Sequence, residues 1–259
     1  MLKKLIILFF CIIIMLVNLN SQTKKEYIIG VENIKYYPLY NWDGKEWTGY
    51  AREVFDRFAL KKGYTFKYIA LPVARLFNDF VVSQTVDFKF PDNPYWSADL
   101  KKDKKVVYSK SVVEYIDGVF VLPERKGKGL DVLKNLGTVM GFTAWDYLDL
   151  INSKKVILKE STDFIVLLQQ VLNKNIDGAY INIVVAQYHL NEILKRPKDL
   201  VFDESLPYTK SSYFFSSIKY PQIIEEFNKF MEEEKDFITK TKQKYKVEEN
   251  VIKYPVYKK

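Results

Sequence analysis

Two hydrophobic patterns alternate along this chain. Short apolar runs rich in aromatic and β-branched residues predict strands, and apolar residues recurring every three or four positions predict amphipathic helices. The first set comprises strands at residues 26–31, 64–70 and 86–90, a helix at 50–62, and a helix that opens at Pro72. This alternation of strands and helices is typical of a parallel sheet with crossover helices.

A second set of the same kind follows two further predicted strands, at residues 106–108 and 117–122. It comprises helices at 130–136, 144–152 and 164–173, and strands at 137–142, 155–158 and 176–183. A return connection then leads to a strand at 212–218 and to one long amphipathic helix at 220–246. The chain is therefore predicted to be an α/β protein built from two halves.

The first 21 residues have the pattern of an export signal. Lys3 and Lys4 precede a 13-residue apolar run, residues 5–17, which is too short to span a bilayer comfortably. The run ends in a polar segment with a small residue, so we predict a signal peptide, residues 1–21, cleaved near Ser21. The alternative is an uncleaved leader that anchors the protein in the membrane.

Charge and cysteine content narrow the chemistry further. The formal net charge of +8 is spread over many lysines that alternate with acidic residues, so we expect no nucleic-acid partner. The single cysteine, Cys11, lies within the leader and lacks the small residues that precede a lipoprotein cysteine. The exported chain would have no disulfide, no cysteine nucleophile and no cysteine metal site. We predict no cofactor and no metal ion.

The most distinctive stretch is residues 91–96, with the sequence PDNPYW. Pro91 and Pro94 each remove a backbone donor, so the preceding strand is expected to stop at Pro91. The loop would then lie at the carboxyl end of a buried strand, where open α/β sheets bind ligands. Tyr95 and Trp96 offer ring faces that stack on a solute or hold a cation.

Several short words in a fixed order carry a resemblance to a known family. The words are Tyr37-Pro38-Leu39-Tyr40, Thr48-Gly49-Tyr50, Gly137-Thr138-Val139 and Asp177-Gly178-Ala179. Together with the leader and the element order, they make residues 24–246 resemble the extracellular solute-binding proteins of the type II periplasmic-binding fold. The nearest branch is that of the polar amino-acid ABC importers, family 3.

The resemblance implies an α/β, two-lobed, periplasmic-binding-protein-like (type II) fold with two hinge strands, near residues 113–118 and 206–213. Lobe 1 would comprise residues 22–115 plus 211–259, and lobe 2 residues 116–210. A protein of this kind closes its lobes on a small-molecule ligand. The resemblance further implies a periplasmic monomer that delivers its ligand to the membrane permease of an ABC importer.

Two departures from the family pattern argue against a free amino acid as the ligand. Amino-acid binders of this family hold the ligand carboxylate with an arginine, and the corresponding position here is about Asp99. They hold the α-ammonium with an aspartate, and the corresponding residue here is Asn182. An uncharged amide cannot balance a buried ammonium group, and an aspartate would repel a carboxylate. Both groups that would hold an amino acid are therefore missing.

Ten residues are predicted to line the ligand site of the two lobes. They are Tyr36, Tyr37, Arg75, Asp92, Asn93, Tyr95 and Trp96 in lobe 1, and Thr143, Trp145 and Asn182 in lobe 2. Of the two adjacent tyrosines, one is expected in the core and one in the cleft. Arg75 could bind an anionic group or lie on the surface, and Asp92 and Asn93 could simply cap a turn. The backbone at Thr143 could bind an anion or form an ordinary helix cap.

These observations favour a binding protein over an enzyme. Ligand-biased closure of two lobes needs no catalytic group, and the chain has no nucleophile or metalloprotease motif. A lyase or hydrolase on the same fold would have to use Asp92 with Asp146 or Glu160 as an acid–base pair. A receptor domain that presents its ligand to a membrane signalling partner is a third possibility, distinguishable from an importer by its neighbouring genes.

Overall fold

The computed structural model describes residues 25–251 and 253–256. The predicted signal peptide lies outside the described residues. Within that described part of the chain, no helix is both long enough and apolar enough to cross a membrane.

Strands and helices alternate through most of the described chain. The strands are β1 (Lys25–Glu32), β2 (Lys35–Tyr36), β3 (Tyr40–Trp42), β4 (Trp47–Thr48), β5 (Tyr64–Leu71), β6 (Phe88–Asp92), β7 (Val107–Tyr108), β8 (Val113–Val121), β9 (Asn135–Val139), β10 (Ile157–Ser161), β11 (Gly178–Asn182), β12 (Val201–Phe202) and β13 (Thr209–Ser217). The helices are α1 (Tyr50–Lys62), α2 (Val73–Val81), α3 (Ala98–Lys101), α4 (Leu148–Asn152), α5 (Phe164–Leu172), α6 (Ile183–Tyr188), α7 (Pro221–Glu233) and α8 (Lys235–Tyr245).

The first half of the fold is a parallel three-strand unit. Strand β1 lies between β5 and β6 and runs parallel to both, with the helices α1 and α2 as crossovers. The register places Glu32, the last residue of β1, opposite Leu71, the last residue of β5. Because parallel strands end at the same edge of a sheet, Glu32 and Asp92 of β6 both lie at the carboxyl edge of this lobe.

The second half repeats this arrangement. Strands β10, β9 and β11 are parallel neighbours, and β8 runs antiparallel beside β11. The carboxyl end of β11 is Asn182, and its partner across the ladder is Asp117 of β8.

Two long strands join the halves. Residues Val113 to Asp117 of β8 pair antiparallel with Tyr213 to Thr209 of β13. Beyond that shared segment β8 pairs with β11, whereas β13 pairs with β6. The central sheet therefore continues through two strands that cross from one lobe to the other, which is the two-lobed arrangement with two hinge strands that the resemblance implied.

Aromatic packing fills the core of lobe 1. Helix α1 buries Tyr50, Val54, Phe55 and Phe58 on one face, and it ends at Gly63, whose φ of 70° is the left-handed conformation that glycine adopts most readily. Phe55 packs 4.7 Å from Phe215 of β13 and 5.1 Å from Phe90 of β6, measured between ring centroids. A helix periodic in large apolar residues thus fixes the sheet that carries the candidate site.

Pro91 does not end its strand as the sequence predicted. Strand β6 runs through it to Asp92, and the pairing with β13 is irregular there, with Phe214 opposite Asp92 but Ser216 opposite Lys89. A bulge allows a proline inside a sheet because the missing N–H falls outside the ladder.

Other boundaries also differ from the sequence prediction. The predicted helix at 130–136 is one 3-10 turn followed by the start of β9, and the predicted C-terminal helix divides at Glu234 into α7 and α8. The segment after Thr143 is a 3-10 turn and the five-residue helix α4, and no side chain caps either. Thr143 is therefore not a helix cap, and so short a helix offers little dipole for an anion.

Candidate functional site

The carboxyl edges of the two parallel units face each other across a cleft. A cavity of about 260 Å³ lies between them. Lobe 1 supplies strand-end, helix and loop residues to its wall, and the hinge strands and lobe 2 supply the rest. The lining residues are Glu32, Tyr40, Val73, Ala74, Phe77, Trp96, Ser97, Asp117, Gly141, Phe142, Thr143, Trp145 and Tyr213.

Two carboxyl groups line this cavity. Glu32 is 4% exposed, and its Oε2 accepts a hydrogen bond of 2.6 Å from the hydroxyl of Tyr40. Burial raises the pKa of Glu32, although Lys89 and the Tyr40 hydrogen bond act in the opposite direction.

Asp117 is the second carboxyl group, and it is less well paired. Its Oδ1 is buried and makes no hydrogen bond within the described residues. Burial raises the pKa of Asp117 to about 7; the amide of Asn182 opposes that shift, and Asp146 and Glu32 add to it. A carboxyl group with this pKa is only half ionised at neutral pH, so a nearby cation would favour its charged form.

Asn182 lies beside Asp117 rather than on the cavity wall. Its Oδ1 caps helix α6 by accepting from the backbone N–H groups of Val184 and Val185 at 3.0 and 3.3 Å. Its Nδ2 is buried and makes no hydrogen bond of normal geometry within the described chain. Its amide nevertheless lies close enough to the Asp117 carboxyl to lower the pKa of that group as a neutral hydrogen-bond donor.

Aromatic rings form most of the remaining wall. Trp96 packs 5.7 Å from Tyr213 between ring centroids, and Phe77 lies on the same side of the cleft. Lys89 is fully buried behind these rings, with its Nζ 4.1 Å from the centroid of Phe77 and 5.6 Å from that of Trp96. Phe142 and Trp145 of lobe 2 line the cavity from the other side.

Asp92 belongs to a buried ion cluster behind the wall. Its Oδ1 accepts from Nζ of Lys101 at 2.7 Å and lies 3.5 Å from Nζ of Lys89, and its Oδ2 accepts from Ser216 at 2.7 Å. With both oxygens engaged and no exposed surface, Asp92 holds the loop after β6 in place. It is not free to act as the acid or base of an enzyme.

Asn93 anchors the same loop, and Tyr95 extends from it. The amide of Asn93 donates to Ser211 at 3.1 Å and to the carbonyl of Ser212 at 3.0 Å, which ties the loop to the hinge strand β13. Its Oδ1 accepts from the backbone N–H of Tyr95 at 3.1 Å, so the turn is fixed by an Asx-type hydrogen bond. Tyr95 itself is 77% exposed and does not line the cavity.

The other lobe 1 candidates also lie off the wall. Tyr36 is buried, and its hydroxyl lies 3.1 Å from that of Tyr213. Tyr37 packs against Tyr188, with ring centroids 4.5 Å apart. Arg75 is largely exposed and lies 3.5 Å from Asp79 on the outer face of α2.

Three of the ten predicted residues line the cavity: Trp96, Thr143 and Trp145. Glu32 and Asp117 were missed by the sequence reasoning, although each had a detectable signal. Glu32 is an acidic residue at the end of an apolar strand, and Asp117 is an acidic residue within one. A charge is costly in such a position unless it is paired, so it marks a functional position or an ion pair.

A second cavity of about 420 Å³ lies between the lobes and is lined by loops. Tyr36 separates the two spaces, since its ring contacts Phe142 of the smaller cavity and Phe164 of the larger. His189 lines the larger cavity, and its Nε2 lies 3.4 Å from the carbonyl of Lys35. None of the ten predicted site residues lines this second space.

No group of three or more His, Cys, Asp or Glu side chains suited to a metal ion occurs among residues 25–251 and 253–256. The polar and aromatic groups on the cavity wall are two carboxyl groups, hydroxyls and ring faces.

Comparison with solved structures places the fold. The chain is similar to the ligand-binding core of GluR0 in complex with L-glutamate, at 13% identity and a TM-score of 0.69, over 86% of this chain and 99% of that one. It is also similar to a periplasmic binding protein of an arginine transport system from Legionella pneumophila, at 15% identity and a TM-score of 0.65, over 86% and 100%.

A third similar structure is an ancestral amino-acid-binding protein, a precursor of cyclohexadienyl dehydratase, at 16% identity and a TM-score of 0.66, over 85% and 95% of the two chains. No protein-family model and no curated protein matched the sequence. At these identities the likeness concerns the fold alone. The chain has the two-lobed type II periplasmic-binding fold with two hinge strands.

Proposed function

We propose that this protein is a solute-binding protein that captures a small molecule between its two lobes. The observation that carries the proposal is the cavity of about 260 Å³, whose wall is shared by strand-end residues of lobe 1, the hinge strands and the loop after β9. A site divided between two hinged lobes couples ligand binding to closure, since both walls contact the ligand only when the cleft is shut.

The lobes are in contact beside this cavity, at the wall of the larger one. The rings of Tyr36 and Phe164 lie 5.3 Å apart between centroids, and the carbonyl of Lys35 lies 3.4 Å from Nε2 of His189. This geometry supports a closed form in which a solute would be largely removed from water.

We propose lobe bounds of 22–115 plus 211–259 for lobe 1 and 116–210 for lobe 2. The pairing of β8 with β13 over Val113–Asp117 and Thr209–Tyr213 supports these bounds. The C-terminal tail also reaches lobe 2, because the hydroxyl of Tyr208 donates to the carbonyl of Pro255 at 2.6 Å. The tail would therefore add a third link between the lobes.

The proposed setting is the periplasm, with the membrane permease of an ABC importer as partner. The pattern of residues 1–21 supports export, and a solute held between two lobes is suited to delivery at a membrane surface. Asp92, the member shared by both acid–base pairs that the sequence offers an enzyme, is bound by Lys101 and Ser216, which favours binding over catalysis.

The proposal is tested by identifying what the purified protein carries. Mass spectrometry of the supernatant after denaturation should reveal a small molecule at near-equimolar amount, and adding it back to refolded protein should raise Tm. Small-angle scattering should show a smaller radius of gyration with the solute than without it. Absence of any co-purifying or stabilising solute, across sugars, nucleosides, peptides, amines and organic acids, would contradict the proposal.

A further inference from the structure

The charge of the cavity wall points to a class of solute. Resting on the proposed solute-binding function, we propose that the solute is a small organic cation that carries an ammonium or guanidinium group and no carboxylate. Its charged end lies between Glu32 and Asp117, and its body lies among the aromatic rings.

The first argument is the balance of charge. Of the described residues that line the cavity, two are acidic and none is Lys, Arg or His. Lys89 and Lys101 both lie against Asp92, so this buried triad has one positive charge in excess, which Glu32 offsets. Asp117 is then left without a cationic partner beside the cavity, and an ionised carboxylate in that position is costly until a cation joins it.

The second argument is the unfilled hydrogen-bonding capacity. Oδ1 of Asp117 is buried without a hydrogen bond, whereas buried polar atoms in folded proteins almost always have a partner. The neighbour best placed to donate, Asn182, is held by its capping hydrogen bonds to α6. An N–H donor from a bound solute would complete this group, and a charged donor would do so most strongly.

The aromatic rings give a third argument. Tyr213 on one side, and Phe142 and Trp145 on the other, line a space bordered by carboxyl groups, whereas Phe77 and Trp96 already lie against Nζ of Lys89. Aromatic faces carry negative quadrupole potential and attract ammonium and guanidinium groups, more strongly where water is excluded. Rings and carboxylates therefore favour the same sign of charge.

The same wall disfavours a solute carboxylate. A carboxylate needs a guanidinium, an ammonium or several N–H donors when it is buried, and here it would meet two carboxyl groups and no cationic lining residue. The volume of about 260 Å³ lies below the range of roughly 300–1,000 Å³ typical of drug-sized ligands. The solute is accordingly a small amine or guanidine rather than an amino acid or a peptide.

Matched solutes that differ in one group test this inference. Refolded protein would be titrated by calorimetry at pH 8 with agmatine against arginine and with tyramine against tyrosine, each pair differing by one carboxylate. N-acetyltyramine supplies the neutral counterpart. We expect at least one of the two amines to bind, with its amino acid and the neutral analogue at least tenfold weaker.

Protein variants complete the test. Asp117→Asn and Glu32→Gln keep the size of each side chain and remove its charge, so each should weaken amine binding by about ten- to a hundredfold. Asp131→Asn, at an exposed position that lines neither cavity, is the matched control and should leave the affinity unchanged.

Three results would overturn the inference: equal or tighter binding of the amino acids, equal binding of the neutral analogue, or no binding of either amine at 1 mM. In each case, the material released on denaturation shows whether only the cation assignment is wrong or the proposed solute-binding function is wrong as well. Recovery of an anionic, zwitterionic or neutral solute whose binding is lost in Trp145→Ala would leave solute binding intact and the cation assignment wrong. Recovery of no solute, with no response to the wider panel, would remove both.

Discussion

The two walls of the cavity are held in place to different degrees. The lobe 1 wall is supported by buried, hydrogen-bonded residues, although Ala74 and Ser97 on it are exposed: Glu32 is bonded to Tyr40, and Asp92 and Asn93 behind the wall fix the loop that carries Trp96. The lobe 2 wall consists of Gly141, Phe142, Thr143 and Trp145, of which Trp145 is 38% exposed and precedes a helix of only five residues.

This difference suggests that lobe 1 provides a preformed binding surface and that lobe 2 closes over it. A wall whose side chains are already ordered loses little conformational entropy when a solute arrives, so lobe 1 is suited to make the first contact. A more exposed wall contributes little to the stability of the fold. The main role of the lobe 2 wall is therefore closure over the solute. Three experiments, ordered by the size of the expected effect, test this difference between the two walls.

The largest effect is expected from removing the ion cluster of the lobe 1 wall. In Asp92→Ala, Lys89 and Lys101 would be left buried without their carboxylate, and the free energy of unfolding should fall by about 3–5 kcal/mol. Urea denaturation of the solute-free protein measures this change. Asp99→Ala, at an exposed position on α3, should change it by less than about 0.5 kcal/mol. A loss below about 1 kcal/mol for Asp92→Ala would show that the cluster does not hold the wall.

A smaller effect of opposite sign is expected from Asp117, where the walls meet at the hinge. Its folded pKa of about 7 is above the unfolded value, so the folded state binds this proton more tightly. Its contribution to stability is therefore complete below about pH 4 and is lost as the pH rises through 7. Asp117→Asn should stabilise the solute-free protein at pH 8 by on the order of a few kcal/mol.

Stability of both proteins measured from pH 4 to 8 tests that sign. The free energy of unfolding should fall less steeply with rising pH in Asp117→Asn than in the unsubstituted protein. The fall should not vanish, because Glu32 also has a raised pKa and titrates in the same direction. Identical pH profiles would mean that Asp117 is solvated. Asp117 also interacts, electrostatically or by hydrogen bonding, with several other titratable or polar groups. They are Asp146, Tyr36, Tyr40, Tyr115, Tyr180, Tyr213 and the Asn182 amide.

The smallest expected effect on stability is that of replacing the two tryptophans of the cleft, Trp96 and Trp145, by alanine. Trp96 packs against Tyr213 and covers Lys89, so Trp96→Ala should cost about 2 kcal/mol in the solute-free protein. Trp145→Ala should cost less than about 1 kcal/mol, because the side chain is more exposed. Both variants should lose most of the Tm increase produced by the solute that co-purifies.

Arg75→Ala is the matched control for this pair, since its side chain lies on the outer face of α2 and outside both walls. It should alter neither the Tm of the solute-free protein nor the increase with solute. Equal losses of stability for Trp96→Ala and Trp145→Ala would remove the distinction between a preformed wall and an exposed one.

Much of the fold could be predicted from sequence because its signals are local. The alternation of apolar runs with helical periodicity predicted the parallel units, and α1 and α2 agree with that pattern because each buries one continuous face. The predictions failed where local preference was overridden. Pro91 lies within β6 because a bulge accommodates it, and the helix predicted at 144–152 is a 3-10 turn followed by the five-residue helix α4.

The candidate site was only partly predictable. Trp96 follows a strand at a carboxyl edge, and the rule that such edges bind ligands was enough to single it out. Thr143 lines the cavity although the helix start predicted there is a 3-10 turn, and Trp145 lies beside it on the same wall. Tyr95 shares the loop of Trp96 but points to solvent, because the Asn93 turn directs adjacent side chains differently. Sequence proximity could not separate these two neighbours.

The sequence alone determined the order of elements, the carboxyl edges and the presence of acidic residues at the ends of two apolar runs. Only the tertiary structure decided that Glu32 and Asp117, 85 positions apart, border one cavity. The physical reason is that periodicity specifies which face of each element is buried, whereas the position of one lobe on the other depends on long-range pairing of β8 with β13 and on closure. The charge of a site shared between lobes is therefore a property of the assembled fold.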